Sequence, residues 1–302
     1  MGEMSKTVPL VATFVAGQGT SLAGSTIREA LRDAGLTLSP PDWLSPHRAA
    51  DVFLDSDDLP AVRTRLGAAL AGQPVDVVIQ PVAGRRKRLL VADMDSTMIE
   101  EECIDELADC AGIRAHVAAI TARAMAGEID FEEALRARVA LLRGVRLEAI
   151  ETILSRLTLT SGARALVATM RAHDAHTALV SGGFTQFTRH VAAWAGFHES
   201  FANRLEVSDG VLTGVVEEPV QGREAKRAAL EDLRVRFDLS RESTLAVGDG
   251  ANDLDMLQAA GLGVAFRAKP KVAAAAQVRI DHADLTALLY AQGYRESEII
   301  GS

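Results

Sequence analysis

Carboxylates stand directly after an apolar run near residue 90, where the sequence reads LLVADMDST. Asp93 and Asp95 are one residue apart, and crowded carboxylates raise one another's pKa and destabilise a fold unless a cation or a reaction uses them. Three more polar segments follow along the chain: SGG at 181–183, a lysine at 226 and GDGAND at 248–253. Together, these groups predict phosphoryl transfer.

Phosphoryl transfer to a carboxylate needs a cation. A carboxylate can attack phosphorus to form an aspartyl-phosphate, but its approach to a phosphate at ~4 Å costs about 4 kcal/mol per pair of unit charges at an effective dielectric constant of about 20. Mg²⁺ removes this repulsion by binding carboxylate and phosphate oxygens. Asp93 and Asp249 are the expected carboxylate ligands, and the backbone carbonyl of Asp95 is a third. Asp253, one helical turn after Asp249, could hold metal-bound water or orient Lys226.

The remaining polar residues fit the same reaction. Asp95 can protonate the leaving alkoxide and later deprotonate the attacking water. The Ser181 hydroxyl and the Gly182 N–H can bind phosphoryl oxygens, and Lys226 places a fixed positive charge beside them. Each pattern alone is weak, because turns are rich in Asp, Ser and Gly and a lysine in AKR is normally solvated. All four in this order predict an active site.

Apolar runs alternate with helical segments from residue 88 onwards, which predicts an α/β fold with a parallel sheet and helices on both faces. The carboxyl ends of parallel strands meet at one edge of a sheet, so the polar segments should converge there. The strand-like runs lie at 88–95, 176–183, 243–250, 262–266 and 277–281.

Residues 98–158, between the first two runs, show no strand signal. They carry successive amphipathic helical patterns, which predicts a helical cap over the ligand-binding edge of the sheet. A hairpin with SDG at its turn is predicted within 201–219 and is interpreted as a structural flap.

Residues 1–85 form a separate unit by their pattern. Three strand-like runs enclose two helical patterns, which predicts a small α+β sandwich. The basic segment GRRKR at 84–88 is interpreted as a solvated linker rather than a phosphate site, and the second unit then spans 86–302. The strand-like runs of the first unit lie at 8–16, 47–55 and 75–82.

Composition limits the function classes. The chain of 302 residues has a net charge of −9 and a pI near 5.3, which argues against nucleic acid as a partner. No apolar run is long enough to span a membrane, and no signal peptide is expected. Cys103 and Cys110 lie two turns apart on a predicted helix, too far apart for a disulfide within it. They fit a reducing compartment, so a cytoplasmic enzyme of a small-molecule substrate is expected.

The motifs DMDST, SGG, Lys226 and GDGANDLDM resemble those of the haloacid dehalogenase superfamily of phosphotransferases. Residues 89–290 are similar, more narrowly, to the phosphoserine phosphatase family, through strings such as FEEALRARVALLRG, VSGGFTQF and FANRLEV. The resemblance implies a Rossmann-like core with a helical cap and Mg²⁺-dependent hydrolysis of O-phospho-L-serine to L-serine and phosphate. The reaction would pass through an aspartyl-phosphate and complete serine biosynthesis.

The resemblance also implies a role for each motif residue. Asp93 would be the nucleophile and Asp95 the general acid and base. Asp93, the carbonyl of Asp95 and Asp249 would hold the metal, with Asp253 in support. The phosphoryl group would be bound by Ser181, Gly182, Lys226 and Asn252.

Four cap residues would bind the amino-acid part of the substrate by the same resemblance. Arg138 can bind a carboxylate bidentately, and Glu102 can pair with an ammonium group. Phe131 and Met125 would enclose the short methylene stem and exclude water. The alternative is that Arg138 faces solvent on an amphipathic helix and that Glu102 only favours a helix N-terminus.

The N-terminal unit resembles, more weakly, the ACT-like domains, which bind amino acids or mediate dimerisation. The implied partners are a second copy of the chain and serine as an effector, although the proline-rich segment 36–50 shows no ligand motif. Two other functions stay open. The first is a related phosphatase or phosphotransferase that acts on another small phosphomonoester, and the second is a catalytically silent serine sensor. The complete set of motifs argues against the sensor.

Overall fold

The first apolar run forms β1 (Leu10–Ala16), an inner strand of a four-stranded antiparallel sheet that is buried along its whole length. The structure is a computed structural model that describes residues 9–37, 39–125 and 128–301, with only the main chain of Met125. The other elements of this N-terminal unit are α1 (Gly24–Asp33), β2 (Asp42–Ser45), β3 (Ala49–Leu54), α2 (Leu59–Ala69) and β4 (Val75–Pro81).

The strand order β2-β3-β1-β4 and the two helices make a β-α-β-β-α-β arrangement. The three predicted strands of this unit are present, and apolar residues of α1 and α2 pack on the sheet. Strand β2 was not predicted. It is short, it lies between prolines at 40–41 and 46, and proline is confined to sheet edges because it cannot donate to the ladder.

The second sheet has six strands, and all neighbouring strands run parallel. Its strands are β5 (Leu89–Ala92), β6 (His176–Phe184), β7 (Glu199–Asn203), β10 (Thr244–Gly248), β11 (Leu262–Phe266) and β12 (Val278–Ile280), in the order β12-β11-β10-β5-β6-β7. The five predicted runs all form strands, which confirms the α/β class. Strand β7 was missed because it lies at the edge of the sheet and its sequence, ESFAN, lacks a continuous apolar run.

Helices flank this sheet and also form a separate layer above its carboxyl edge. The segment between β5 and β6, where successive helices were predicted, forms α3 (Cys103–Cys110), α4 (Arg114–Met125), α5 (Phe131–Ala140) and α6 (Leu147–Leu154). The helices that flank the sheet are α7 (Ala163–Ala172), α8 (Thr185–Ala195), α9 (Arg223–Arg236), α10 (Leu254–Ala259) and α11 (Pro270–Ala275). Helix α12 (Ala287–Ala291) instead packs against α7 and against β1 and β3 of the N-terminal sheet. Among the described helices, none is long and apolar enough to cross a membrane.

The predicted hairpin consists of β8 (Leu205–Ser208) and β9 (Val211–Val216). It docks on the loop between α5 and α6, where the N–H of Leu212 donates to the carbonyl of Val145 at 2.8 Å. The hairpin thus extends the cap layer.

The N-terminal unit is joined to the rest of the chain by buried polar contacts. The guanidinium of Arg85 donates to Asp51 of β3 at 2.7 Å, and the Asp51 side chain is only 2% exposed. The ammonium of Lys87 donates to two backbone carbonyls and is also buried. Asp76 of β4 accepts three successive backbone N–H groups that follow β12. The interpretation of 84–88 as a solvated linker holds for Arg86 and Arg88, which are exposed. It is wrong for Arg85 and Lys87, because Asp51 and the Glu242 carbonyl, which are distant in sequence, hold them in buried contacts.

Candidate active site

The sheet order places β10, β5 and β6 side by side, so the segments that follow or end these strands meet at one edge. Asp93 comes directly after β5, Ser181 lies near the end of β6, and Asp249 comes directly after β10. Lys226 reaches the same edge from the first turns of α9. The structure brings together the following predicted site residues: Asp93, Asp95, Ser181, Gly182, Lys226, Asp249, Asn252 and Asp253.

Lys226 is buried between two carboxylates. Its Nζ lies 2.6 Å from Oδ1 of Asp93 and 2.7 Å from Oδ1 of Asp253, and the residue is 1% exposed. Burial alone would lower the pKa of Lys226, but the carboxylates of Asp253 and Asp93 raise it above its ordinary value. The alternative of a solvated surface lysine is wrong, because the partners that bury Lys226 come from other loops.

Three buried carboxylates form a cluster that fits a divalent cation. Oxygen atoms of Asp93, Asp249 and Asp253 all lie within 4.8 Å of one another, and buried Lys226 supplies one positive charge among them. Burial, and next the charge of Asp253, raise the pKa of Asp249 to about 6. The ammonium of Lys269, 55% exposed, stands 3.9 Å from Asp249 and compensates it weakly. Oxygen ligands with an excess of negative charge are what Mg²⁺ binds.

Asp253 reaches the cluster because residue 248 is a glycine. A Cβ atom built on Gly248 would lie 2.4 Å from Cγ of Asp253, a distance at which one of the two would have to move. The other oxygen of Asp253 accepts the N–H of Gly250 at 2.9 Å. Asp253 is therefore held by two donors, Gly250 N and Lys226 Nζ. Of its two predicted roles, this geometry favours the orientation of Lys226.

The nucleophile candidate and the acid candidate differ in their partners. Burial, and next the charge of Asp253, raise the pKa of Asp93, while Lys226 opposes the shift. Burial also raises the pKa of Asp95. Oδ1 of Asp95 accepts the N–H of Cys103 at 2.9 Å, and Oδ2 accepts the Ser181 hydroxyl at 3.3 Å. A raised pKa suits a carboxyl that must hold a proton near neutral pH and then give it up.

The cap contributes Phe131, whose ring packs against glycines of the core at the site. A Cβ atom built on Gly182 would lie 3.1 Å from the Phe131 ring, and one built on Gly222 would also lie 3.1 Å from it. The ring thus rests on two glycines of the core. Nδ2 of Asn252 lies 3.8 Å from the same built Cβ atom of Gly182, so Phe131 and Asn252 both flank the phosphoryl-binding loop.

The two charged cap residues face this region from α3 and α5. Glu102 accepts the hydroxyl of Ser96 at 2.7 Å, and burial followed by the charge of Asp95 raises its pKa. Arg138 is half-buried and donates to the carbonyl of Ala134 at 3.2 Å. Burial lowers the pKa of Arg138, and the charges of Asp105 and Glu102 oppose that shift. Arg138 is therefore not a solvated residue. Met125 ends α4, and its side chain lies outside the described part of the structure.

Two residues at the site were not predicted. Lys269 lies directly before α11. Asn203 ends β7 and is buried beside the SGG segment at 181–183. A usable signal existed for Lys269, because the dipeptide KP follows the strand LGVAF and so falls at the same carboxyl edge of the sheet. For Asn203 the sequence shows only a polar residue in a missed strand.

Comparison with known proteins agrees with this geometry. Residues 90–258 match the family model of the haloacid dehalogenase-like hydrolases. A phosphoserine phosphatase of Archaeoglobus fulgidus is 44% identical over 220 residues, 72% of this chain and 64% of that protein. One of Idiomarina loihiensis is 42% identical over 212 residues, 70% of this chain and 96% of that protein. The crystal structure of a probable phosphoserine phosphatase from Vibrio cholerae has a TM-score of 0.78 at 32% identity and covers 96% of this chain and 88% of that one.

The chain therefore belongs to the haloacid dehalogenase-like hydrolase family. The relatives from Archaeoglobus fulgidus and Idiomarina loihiensis are both phosphoserine phosphatases, which confirms the resemblance inferred from the motifs. The chain spans 64% of the length of the Archaeoglobus fulgidus relative and 62% of that of a Streptomyces coelicolor relative.

Proposed function

We propose that the chain hydrolyses O-phospho-L-serine to L-serine and phosphate through an aspartyl-phosphate on Asp93, with Mg²⁺ as cofactor. The observation that carries the proposal is the buried cluster in which Asp93 touches Lys226 beside two more carboxylates. The metal, held by Asp93, Asp249 and the Asp95 carbonyl, would neutralise the phosphate charge that these carboxylates otherwise repel.

In the first half-reaction an oxygen of Asp93 attacks phosphorus, and the bond from phosphorus to the serine oxygen breaks. Asp95, whose pKa is raised by burial, gives its proton to the leaving oxygen. Lys226, the Ser181 hydroxyl and the N–H of Gly182 stabilise the equatorial phosphoryl oxygens. In the second half-reaction, ionised Asp95 takes a proton from a water molecule that attacks the phosphorus, which frees Asp93.

The amino-acid specificity is proposed to come from the cap. Arg138 would pair with the substrate carboxylate and Glu102 with its ammonium group, while the Phe131 ring covers the methylene group. The burial of Arg138 supports this assignment, because its positive charge lies near the carboxylates of Asp105 and Glu102 but forms no close ion pair with any residue that the structure describes. A half-buried guanidinium of this kind can bind an incoming anion strongly.

Two substrates test the proposal, because p-nitrophenyl phosphate shares the phosphoryl group of phosphoserine but lacks its charged groups. We expect turnover of phosphoserine with Mg²⁺ and none after chelation. Arg138→Met should raise KM for phosphoserine about 10- to 100-fold, the value of one charge-assisted interaction, and leave KM for p-nitrophenyl phosphate nearly unchanged. Arg136→Met is the control, since Arg136 is exposed on the same helix. Equal losses on both substrates would contradict the amino-acid pocket.

We also propose that the chain acts as a cytoplasmic enzyme of serine biosynthesis. Residues 1–85 would form an ACT-like domain, and residues 86–302, including the cap at 98–158, would form the catalytic unit. The β-α-β-β-α-β arrangement of the N-terminal unit supports the ACT-like assignment. Homodimer formation and serine binding at this unit follow as expectations. Sedimentation of the full chain tests dimer formation, which a monomer would contradict. Titration calorimetry with serine tests the effector, which the absence of a heat of binding would contradict.

A further inference from the structure

Asn203 has a buried side-chain amide whose polar atoms bind two separate segments, the SGG segment at 181–183 and the residues that precede α9. It ends β7 and is 1% exposed. Its Nδ2 donates to the carbonyl of Gly182 at 2.9 Å and to the carbonyl of Gln221 at 3.1 Å. Its Oδ1 accepts the N–H of Gln221 at 2.6 Å. Both N–H bonds and the carbonyl oxygen of this amide are therefore used, in a place where an unpaired polar group would be costly.

The two segments joined by Asn203 carry or adjoin the groups that would hold the phosphoryl group. Gly182 belongs to the SGG segment (181–183) near the end of β6. Gln221 directly precedes Gly222, whose carbonyl accepts the N–H of Lys226 at 3.4 Å in the first turn of α9. The Phe131 ring packs on both Gly182 and Gly222. The Asn203 amide therefore connects the SGG segment to the residues that precede α9, directly beside the two glycines that the cap contacts.

We propose that Asn203 is a positioning residue for phosphoryl binding and transfer; this inference rests on the proposed function. Asn203 acts through Gly182 and the 221–222 loop. Catalysis of this kind depends on donors held in place before the reaction, and a misplacement of about 1 Å can cost about 100-fold in rate.

The test compares two variants of Asn203 with a matched control. Asn203→Leu keeps the side-chain size and removes all three hydrogen bonds, while Asn203→Asp keeps the acceptor for Gln221 N–H and loses the donors. Gln292→Met is the control, because Gln292 is also a buried amide, bonded to Lys87 N and to the Leu288 carbonyl at 2.9 Å each, at the junction with the N-terminal unit. Melting temperature, kcat and KM on both substrates, and calorimetric affinity for inorganic phosphate with Mg²⁺ are measured.

We expect Asn203→Leu to lower kcat about 10- to 100-fold on both substrates and to weaken phosphate binding about 10-fold. Asn203→Asp should fall between Asn203→Leu and the wild type, while Gln292→Met should lower the melting temperature with kcat and phosphate affinity close to wild type. The inference is overturned if Asn203→Leu loses only thermal stability, as the control does. If that variant does not fold, wild-type kcat and phosphate affinity in Asn203→Asp overturn it. Turnover of p-nitrophenyl phosphate without turnover of phosphoserine would refute the proposed substrate but leave the Asn203 comparison intact.

Discussion

Removal of the Asp249 charge should stabilise the metal-free protein while it abolishes metal binding. Asp249 is 6% exposed, and its pKa in the fold is about 6 against an ordinary value of 3.8. At about 1.4 kcal/mol per pH unit, the ionised carboxylate destabilises the metal-free fold by about 3 kcal/mol at pH 8. Asp249→Asn should remove this cost and raise the melting temperature by roughly 6 °C, at about 2 °C per kcal/mol for a protein of this size.

The pH dependence of the same effect has a definite sign. The folded state has the higher pKa, so the fold binds a proton as the pH falls through about 6 and becomes more stable, while the unfolded chain stays ionised until near 3.8. Wild type in chelator should therefore be more stable at pH 5 than at pH 8, by about 1.4 kcal/mol from this group. The Asp249→Asn variant should lack this contribution of about 1.4 kcal/mol to the stability gained at pH 5.

Scanning fluorimetry with chelator and with Mg²⁺ measures both effects. A cation at 100 times its Kd stabilises a protein that binds it by about 2.7 kcal/mol. Mg²⁺ should therefore stabilise wild type at pH 8 by nearly as much as the Asp249→Asn substitution does in chelator, and it should not stabilise the Asp249→Asn variant. Asp232→Asn is the control, because Asp232 is exposed on α9, and we expect no change from it. An Asp249→Asn variant no more stable than wild type in chelator at pH 8, or equal stabilisation of both proteins by Mg²⁺, would contradict the predicted cost of the Asp249 charge.

Three further substitutions test other parts of the structure. Asp93→Asn should reduce turnover about 10³-fold or more and prevent a phosphoryl adduct, seen by mass spectrometry of the trapped enzyme; turnover near wild type would exclude Asp93 as nucleophile. Gly248→Ala should displace Asp253, since the new Cβ would lie 2.4 Å from its Cγ, and thus lower kcat and phosphate affinity; unchanged values would show that the loop relaxes freely. Arg85→Met should lower the free energy of unfolding by about 3–5 kcal/mol in denaturant titrations, because it leaves the buried charge of Asp51 unpaired. Adding Asp51→Leu to this variant should recover part of the lost stability. A loss under about 1 kcal/mol in Arg85→Met would mean that the ion pair contributes no more than an exposed surface pair.

Sequence patterns predicted those strands whose surroundings impose a continuous apolar run. Strands β5, β10 and β11 are buried at every position, so their residues alone indicate a parallel sheet covered on both faces. Strand β7 at the sheet edge and β2 among prolines receive their conformation from one neighbouring strand each. No local pattern reports such pairing, because the partner is distant in sequence.

The candidate site was predictable where chemistry demands unusual residue types and unpredictable where it demands only a particular neighbour. Paired aspartates after an apolar strand have few structural uses, so Asp93 and Asp95 could be chosen as candidate site residues from the sequence. Lys226 in isolation has the local sequence of a surface residue; two carboxylates from β5 and the 248–253 loop bury it. Asn203 has even less signal, because an asparagine at the end of a strand is ordinary and only the positions of Gly182 and Gln221 make it special.

The contrast between the two buried ion pairs shows why a functional site can be told from a structural junction by its charge balance. At the junction, Arg85 and Asp51 carry one charge each and bond through two hydrogen bonds, so the pair is neutral. At the site, Asp93 and Asp253 share the buried Lys226, Asp249 faces the exposed Lys269, and burial raises the pKa of Asp93 and of Asp249. A neutral pair is complete without a ligand, whereas an excess of buried negative charge destabilises the fold until a cation or a proton joins it. The excess charge, rather than the number of ion pairs, is the feature that points to metal-assisted chemistry at this edge of the sheet.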